Sequence, residues 1–154
     1  MIEVSMKRTS MICILILSAL HHAAAGQKRM IFDPNGGEFQ ISGDRPAGFE
    51  DFSRMNLETR TFKGRRVRPN GEIEFGQASY AMRNIVFDGR RWNFETVPFG
   101  GTSFRFYGRF PKLRLDEHGA IIGDNVLQGH LIKFVHGKKA AEADLVFSFI
   151  YYSD

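Results

Sequence analysis

The last strand-like stretch of the chain constrains its fold most. Ala141, Ala143, Leu145, Phe147, Phe149 and Tyr151 alternate with Glu142, Asp144 and Ser148. Side chains along a strand point to opposite faces with a period of two, so these six apolar positions share one face. Six such groups in register cannot face water together, and the strand is expected to line a core. Leu127 to Val135 precedes it, joined through a turn at His136-Gly137-Lys138-Lys139.

The same period runs through the chain from Arg29 onward. Met30 to Phe32 and Phe39 to Ser42 flank Asp33-Pro-Asn-Gly-Gly37, where proline and glycines favour a turn. Met55, Leu57, Thr59 and Thr61 alternate with polar residues, and Pro69-Asn70-Gly71 leads into Ile73 and Phe75. Tyr80 to Phe87 meets Trp92 to Val97 across Asp88-Gly89, a pair suited to a type I′ hairpin. Phe104, Phe106 and Phe110 share a face, with Arg105 and Arg109 opposite, and Lys112 to Leu115 continues past a bend at Pro111. No segment here combines helical period, capping and length. The pattern predicts an all-β domain, a single antiparallel β-sandwich or open β-barrel/jellyroll of roughly eight to ten strands.

Residues 1–25 read differently. Lys7 and Arg8 precede an apolar run from Met11 to Leu20, and Ala23-Ala24-Ala25-Gly26 offers small residues at a cleavage site between Ala25 and Gly26. A run of about ten apolar residues is half of what a membrane-spanning helix needs, so no permanent membrane anchor is expected. A start at Met6 gives the more typical signal peptide. Residues 26–154 then form the single all-β domain. The only cysteine, Cys13, lies inside the signal, leaving a disulfide-free domain that suits the bacterial periplasm.

Charge is concentrated in the centre. Without Glu3, Lys7 and Arg8, the remaining 19 basic and 16 acidic residues give a net +3. Between Arg54 and Arg114 there are 13 basic and five acidic residues, and eleven of those cations are arginines. Arginine grips phosphate or carboxylate with a planar fork, which lysine cannot do. Arg65, Arg66, Arg90, Arg91 and Arg109 are the candidate contacts to an anionic ligand, against the alternative of a merely solvated face. Nucleic acid is not expected as a partner, because the export signal places the domain away from it. Anionic lipid, polysaccharide or an envelope protein would meet the same charges.

The chemistry-bearing residues are sparse. Ser103 has no following helix to make a nucleophile elbow. His130 and His136 are separated by about 20 Å of extended chain, too far to share a metal. Asp116-Glu117-His118 groups two acids with an imidazole and could serve a small hydrolase, although Gly119 after it suits a polar turn. Gly36-Gly37 and Gly100-Gly101 lack the helix that makes a phosphate loop. No cofactor, metal site or catalytic residue is assigned. Phe62-Lys-Gly64-Arg65, Phe87-Asp-Gly89-Arg90 and Phe106-Tyr-Gly108-Arg109 suggest an internal repeat, echoed by Leu127-Gln-Gly129-His130.

The tail Leu127-Gln-Gly-His-Leu-Ile-Lys-Phe134 with Ala141-Glu-Ala-Asp-Leu145 resembles repeats of periplasmic lipopolysaccharide-transport proteins, as does Phe62-Lys-Gly64 followed by Ile73-Glu-Phe75-Gly-Gln-Ala78. The resemblance implies an open jellyroll that shields acyl chains between two sheets, and it carries over no functional residue. Three functions therefore stand as expectations. The first is an exported module binding an anionic amphiphile or envelope component. The second is an envelope protein that pairs with another protein through edge strands, and the third is a hydrolase. Cleavage after Ala25 predicts a mature protein that begins at Gly26, which the intact mass of the exported protein checks.

Overall fold

A computed structural model of the protein describes residues 34–151 except 36, 60, 63, 64, 67, 112, 113, 116–120 and 123. At 61, 62, 65, 66, 114, 115, 121 and 122 it describes the backbone alone. The strands are β1 (Gly37–Ile41), β2 (Phe52–Glu58), β3 (Thr61–Phe62), β4 (Arg65–Arg66), β5 (Asn70–Phe75) and β6 (Ala78–Phe87). They continue with β7 (Arg91–Thr96), β8 (Thr102–Arg109), β9 (Arg114–Leu115), β10 (Ile121–Ile122), β11 (Leu127–Val135) and β12 (Lys138–Tyr151). No helix occurs among the described residues.

Eight strands form one closed antiparallel barrel in the order β1-β12-β11-β8-β7-β6-β5-β2. Each barrel strand lies beside the next one in the chain, so the path runs up and down until the last strand meets the first. β1 pairs with β12 from Gly37↔Tyr151 to Ile41↔Phe147, and with β2 at Phe39↔Met55. The all-β, antiparallel expectation is met. The sheet, however, closes on itself instead of stacking as a sandwich or staying open. Register shifts at Phe52/Arg54, Arg83/Val86 and Lys133/Phe134 supply local bending, because a bulge puts an extra residue on one strand and coils it. β3–β4 and β9–β10 are separate two-stranded ribbons in the β2–β5 and β8–β11 connections.

Two local expectations change. β8 stops at Arg109, and β9 pairs with β10 instead of extending β8 past Pro111, which has no N–H for a ladder. The Asp88-Gly89 connection is not type I′, a turn that needs positive φ at two residues; here only Gly89 has it, at 80°. The Asp88 carboxylate instead accepts hydrogen bonds from the Arg90 and Arg91 backbone N–H groups at 2.9 and 2.7 Å. The type I′ signature appears at His136 and Gly137, with φ of 50° and 75°. Met30 to Phe32 lies outside the described residues.

Inward faces build the core. Phe39, Phe52, Met55, Leu57, Ile73, Trp92, Phe94, Phe104, Phe106, Leu131 and Phe147 are all fully or almost fully buried. Their rings interlock: Trp92 lies 5.1 Å from Phe39 and 5.2 Å from Phe94, and Phe106 meets Phe147 edge-on at 5.7 Å. Phe104 and Phe106 thus serve as packing. Connections alternate between the two ends of the barrel. Those of β1–β2, β5–β6, β7–β8 and β11–β12 leave one end, which Phe49 from the first connection plugs with no exposed surface. Lys133 points inward there, its Nζ 4.2 Å from the Phe75 ring centre and 3.4 Å from the Gly48 carbonyl oxygen.

The Phe-x-Gly-Arg recurrence is not a structural repeat. Gly89 serves a turn, whereas Gly108 sits mid-strand opposite Gly129. The Phe106 ring lies across both glycines, occupying the space that a Cβ at either would need. Gly64 lies outside the described residues. Alanine normally favours a strand over glycine by about 0.5–1 kcal/mol through backbone entropy. Gly108→Ala and Gly129→Ala are nevertheless expected to destabilise by about 1–3 kcal/mol, the cost of overpacking a filled core. Chemical denaturation checks the sign, and adding Phe106→Leu to Gly108→Ala should recover part of the loss relative to Phe106→Leu alone.

Candidate functional site

Outward faces of the barrel are mostly polar or charged, with Val86, Tyr107, Val146 and Ile150 exposed among them. Two charge clusters stand out. In the first, Arg54 on β2 bonds Glu38 on β1 at 2.7 Å and Glu74 on β5 at 2.5 Å. Those two carboxylates, Glu74 foremost, hold the Arg54 guanidinium firmly charged. Gln40 adds a 2.6 Å bond to Glu38, whose side chain is only 8% exposed. Two carboxylates share one guanidinium here, leaving the cluster one negative charge over, and it ties three strands together.

The second cluster lies towards the other end, where the β2–β5, β6–β7 and β8–β11 connections emerge. Pairing of β7 with β8 sets Arg91 directly opposite Arg109, both exposed, because their inward neighbours Trp92 and Gly108 alternate with them. Directly opposed residues have Cβ atoms about 4.5–5.5 Å apart, and like charges there repel. Asp88 partly relieves this: its carboxylate takes the Arg91 Nε at 3.0 Å and a terminal guanidinium nitrogen at 2.9 Å. The Arg91 and Arg90 backbone N–H groups, followed by the Arg91 side chain, hold the Asp88 carboxyl below its usual range. Among the described residues, Arg109 has only the neutral Gln128 amide, at 3.3 Å. The Arg90 carbonyl oxygen accepts the Phe110 N–H at 2.7 Å, fixing the hairpin against the end of β8.

Of the five arginines expected from sequence, the structure thus brings Arg90, Arg91 and Arg109 to one region. Arg65 and Arg66 form β4, in a connection leaving from the same end, and their side chains are outside the described set. Asp116, Glu117 and His118 also fall outside the described residues, as do Ala25 and Gly26. Half-buried Phe87, Phe110 and Phe149 belong to this end, with Phe87 edge-on to Phe110 at 5.8 Å and exposed Tyr151 edge-on to Phe149 at 4.6 Å.

Pairing also assembles residues that charge counting missed. The next outward row along the barrel is Asn93 on β7, Tyr107 on β8, His130 on β11 and Asp144 on β12. Alternation on β8 placed Tyr107 between Arg105 and Arg109, but its neighbours required the register. Farther along, Glu95 accepts from Arg105 at 2.9 Å, and the Arg105 guanidinium stacks 5.5 Å above Phe134. Glu95, Arg105 and Phe134 line a groove of about 210 Å³, smaller than an ordinary ligand pocket of about 300–1,000 Å³. No group of His, Cys, Asp and Glu able to hold a metal occurs among the described residues.

His130 bridges two acids, Nδ1 lying 2.9 Å from Asp144 and Nε2 3.3 Å from Glu142. The bond to Asp144 raises the imidazole pKa above 6.5, opposed by partial burial and aided by Glu142. Arg105 and Arg109 on β8 face the same row diagonally and Tyr107 directly. Because the folded-state value exceeds the unfolded one, the stabilisation is complete below about pH 6.5 and disappears as pH rises through the folded value. With the side chain 36% exposed, solvent screening limits it to about 1 kcal/mol at most. The thermal midpoint should therefore fall more between mildly acidic and mildly alkaline pH in the native chain than in His130→Gln, as calorimetry across that range will measure. No protein-family model, curated protein or solved structure matches the chain.

Proposed function

We propose that this is an exported, non-enzymatic barrel that binds an anionic amphiphile of the bacterial cell envelope at its arginine-bearing end. The observation that carries this reading is the direct opposition of Arg91 and Arg109 across β7 and β8. Two cations held side by side weaken the sheet unless an anion comes between them. Among the described residues Asp88 supplies one carboxylate for the pair, which leaves one positive charge over. Arg90, exposed in the adjoining turn, adds to the excess. Exposed Val86 and half-buried Phe87, at the end of β6, supply apolar surface at the same end, which suits an amphiphile better than a simple salt ion.

Aromatic packing inside the barrel bears on how such a ligand is held. An open-jellyroll carrier keeps acyl chains between two sheets. In this barrel Phe39, Trp92, Phe94, Phe106 and Phe147 fill the described interior, which favours engagement from the outside. Closure also bears on the alternative of pairing with an envelope protein. The eight barrel strands each have two neighbours, so pairing by strand addition would have to use the edges of the short ribbons β3–β4 and β9–β10. A periplasmic location follows from the leader of residues 1–25 and the disulfide-free composition.

The test compares the native chain with Arg91→Gln/Arg109→Gln on vesicles of phosphatidylglycerol mixed equally with phosphatidylcholine. A basic side chain near an anionic surface contributes about 1 kcal/mol. Losing two is expected to weaken binding about thirtyfold, with little change in the thermal midpoint because exposed ion pairs add little to stability. Equal vesicle binding by the folded double variant would overturn the proposal. Capture of one defined envelope protein by crosslinking in cells, with no vesicle binding, would replace it with the pairing alternative.

A further inference from the structure

The row next to the arginine pair points to the headgroup chemistry. Tyr107 is 48% exposed, and among the described residues neither its ring nor its hydroxyl has a partner. It stands on β8 between Arg105 and Arg109, with Asn93 opposite on β7 and His130 opposite on β11. Gln128, beside Arg109, completes the surround. Residues two apart on a strand are separated by about 7 Å, and Asn93 and His130, two strands apart, by about 10 Å. An aromatic ring is thus laid open at the centre of a patch the size of a sugar ring with its substituents. Its border consists of planar groups: a carboxamide on each side and a guanidinium, with the ring of His130, whose two nitrogens Asp144 and Glu142 already engage.

We propose that this face of β7, β8 and β11 is a platform for an acidic sugar, so that the anionic amphiphile bound at the arginine-bearing end carries a sugar headgroup. The inference rests on that reading of the end and deepens it. The apolar face of a pyranose packs on the Tyr107 ring, removing area from water on both partners. Asn93 and Gln128 can donate and accept, matching hydroxyl groups that do both. Arg109, whose partner among the described residues is neutral, takes the acidic substituent, a uronic carboxylate or a phosphate, with Arg91 beside it. A lone anion would use the arginines without the ring, and a purely apolar ligand would gain nothing from the amides and imidazole. Free acidic polysaccharide and a glycolipid headgroup share this chemistry.

Amide NMR titration of the full exported chain with tetragalacturonate, maltotetraose and inorganic phosphate tests the assignment. Tetragalacturonate should shift Asn93, Tyr107 and His130 and bind more tightly than maltotetraose. Tyr107→Ala should weaken it roughly tenfold, the upper range for one aromatic stacking contact, whereas Tyr107→Phe keeps the ring and most of the affinity. Stronger binding to vesicles doped with a uronic-acid glycolipid than to the soluble tetramer would assign the lipid-borne source; the reverse would assign free polysaccharide. The first order supports the whole proposal; the second keeps the platform and overturns its assignment to the amphiphile's headgroup. Native-like tetragalacturonate affinity in Tyr107→Ala, or shifts reproduced by phosphate alone, overturns it. Such a result leaves the amphiphile reading to the arginine double variant on phosphatidylglycerol vesicles, in which Tyr107 is untouched.

Discussion

The barrel depends on the seam between β1 and β2, where the first strand meets the second after a connection of ten residues, 42–51. One register pair, Phe39↔Met55, joins the two strands, compared with five on the other side of β1. Side chains do much of the joining. Phe39 is fully buried and contacts the Trp92, Phe110 and Phe149 rings at 5.1, 6.0 and 4.8 Å, so it reaches across the interior as well as along the seam. Outside, Arg54 spans the seam to Glu38 and reaches back to Glu74. Glu38 is nearly buried, and an ionised carboxylate taken from water needs its countercharge: removing one member of such a pair typically costs about 3–5 kcal/mol. Hydrophobic contact and charge pairing therefore hold the same junction from opposite faces.

The interior is set by a different economy of space. Eight strands enclose a volume that side chains can fill, and here aromatic rings do so. Rings of that size fit only where neighbouring positions of the wall are small. Gly108 and Gly129, paired across β8 and β11, form such a recess, and Phe106 lies over it. Trp92 shares the same row, its indole N–H buried with no hydrogen-bond partner among the described residues. An unmet buried donor costs about 1–3 kcal/mol, which the ring offsets by contacts with Phe39, Phe94 and Phe106. A barrel packed this way leaves its outer surface and its ends as the places to meet a ligand.

How much of this is legible in the sequence follows the range of the interactions. Alternation on β12 and β8 identifies the inward residues, and His136-Gly137 marks its hairpin, because strand period and turn chemistry are local. Tyr151 is the exception on β12: it has the core parity but lies at the strand end and stays exposed. Closure is not legible, since Arg54 meets partners 16 and 20 residues away. Nor is the glycine recess, whose halves lie on different hairpins, so Gly108 and Gly89 look alike in a Phe-x-Gly-Arg motif although they serve unlike ends. Asp88-Gly89 misleads for a local reason: the carboxylate captures two backbone N–H groups and selects another turn.

The same argument separates the arginines. Composition gives a central excess of positive charge but cannot distinguish a cation that already has a carboxylate from one that lacks it. Arg54 is held between two carboxylates and Arg105 is bound to Glu95, so both are committed to the fold. Arg91 shares its acid, Arg109 faces an amide, and the two stand opposite each other where separation would have served stability better. A sheet has many positions for an arginine, and a row further along either cation would meet Asn93, Tyr107 or His130 instead of its like. The chain keeps its repulsive pair beside the open aromatic row, at the end where the rings of the core approach the surface. That placement, more than the number of charges, is what the proposal of an external anion rests on.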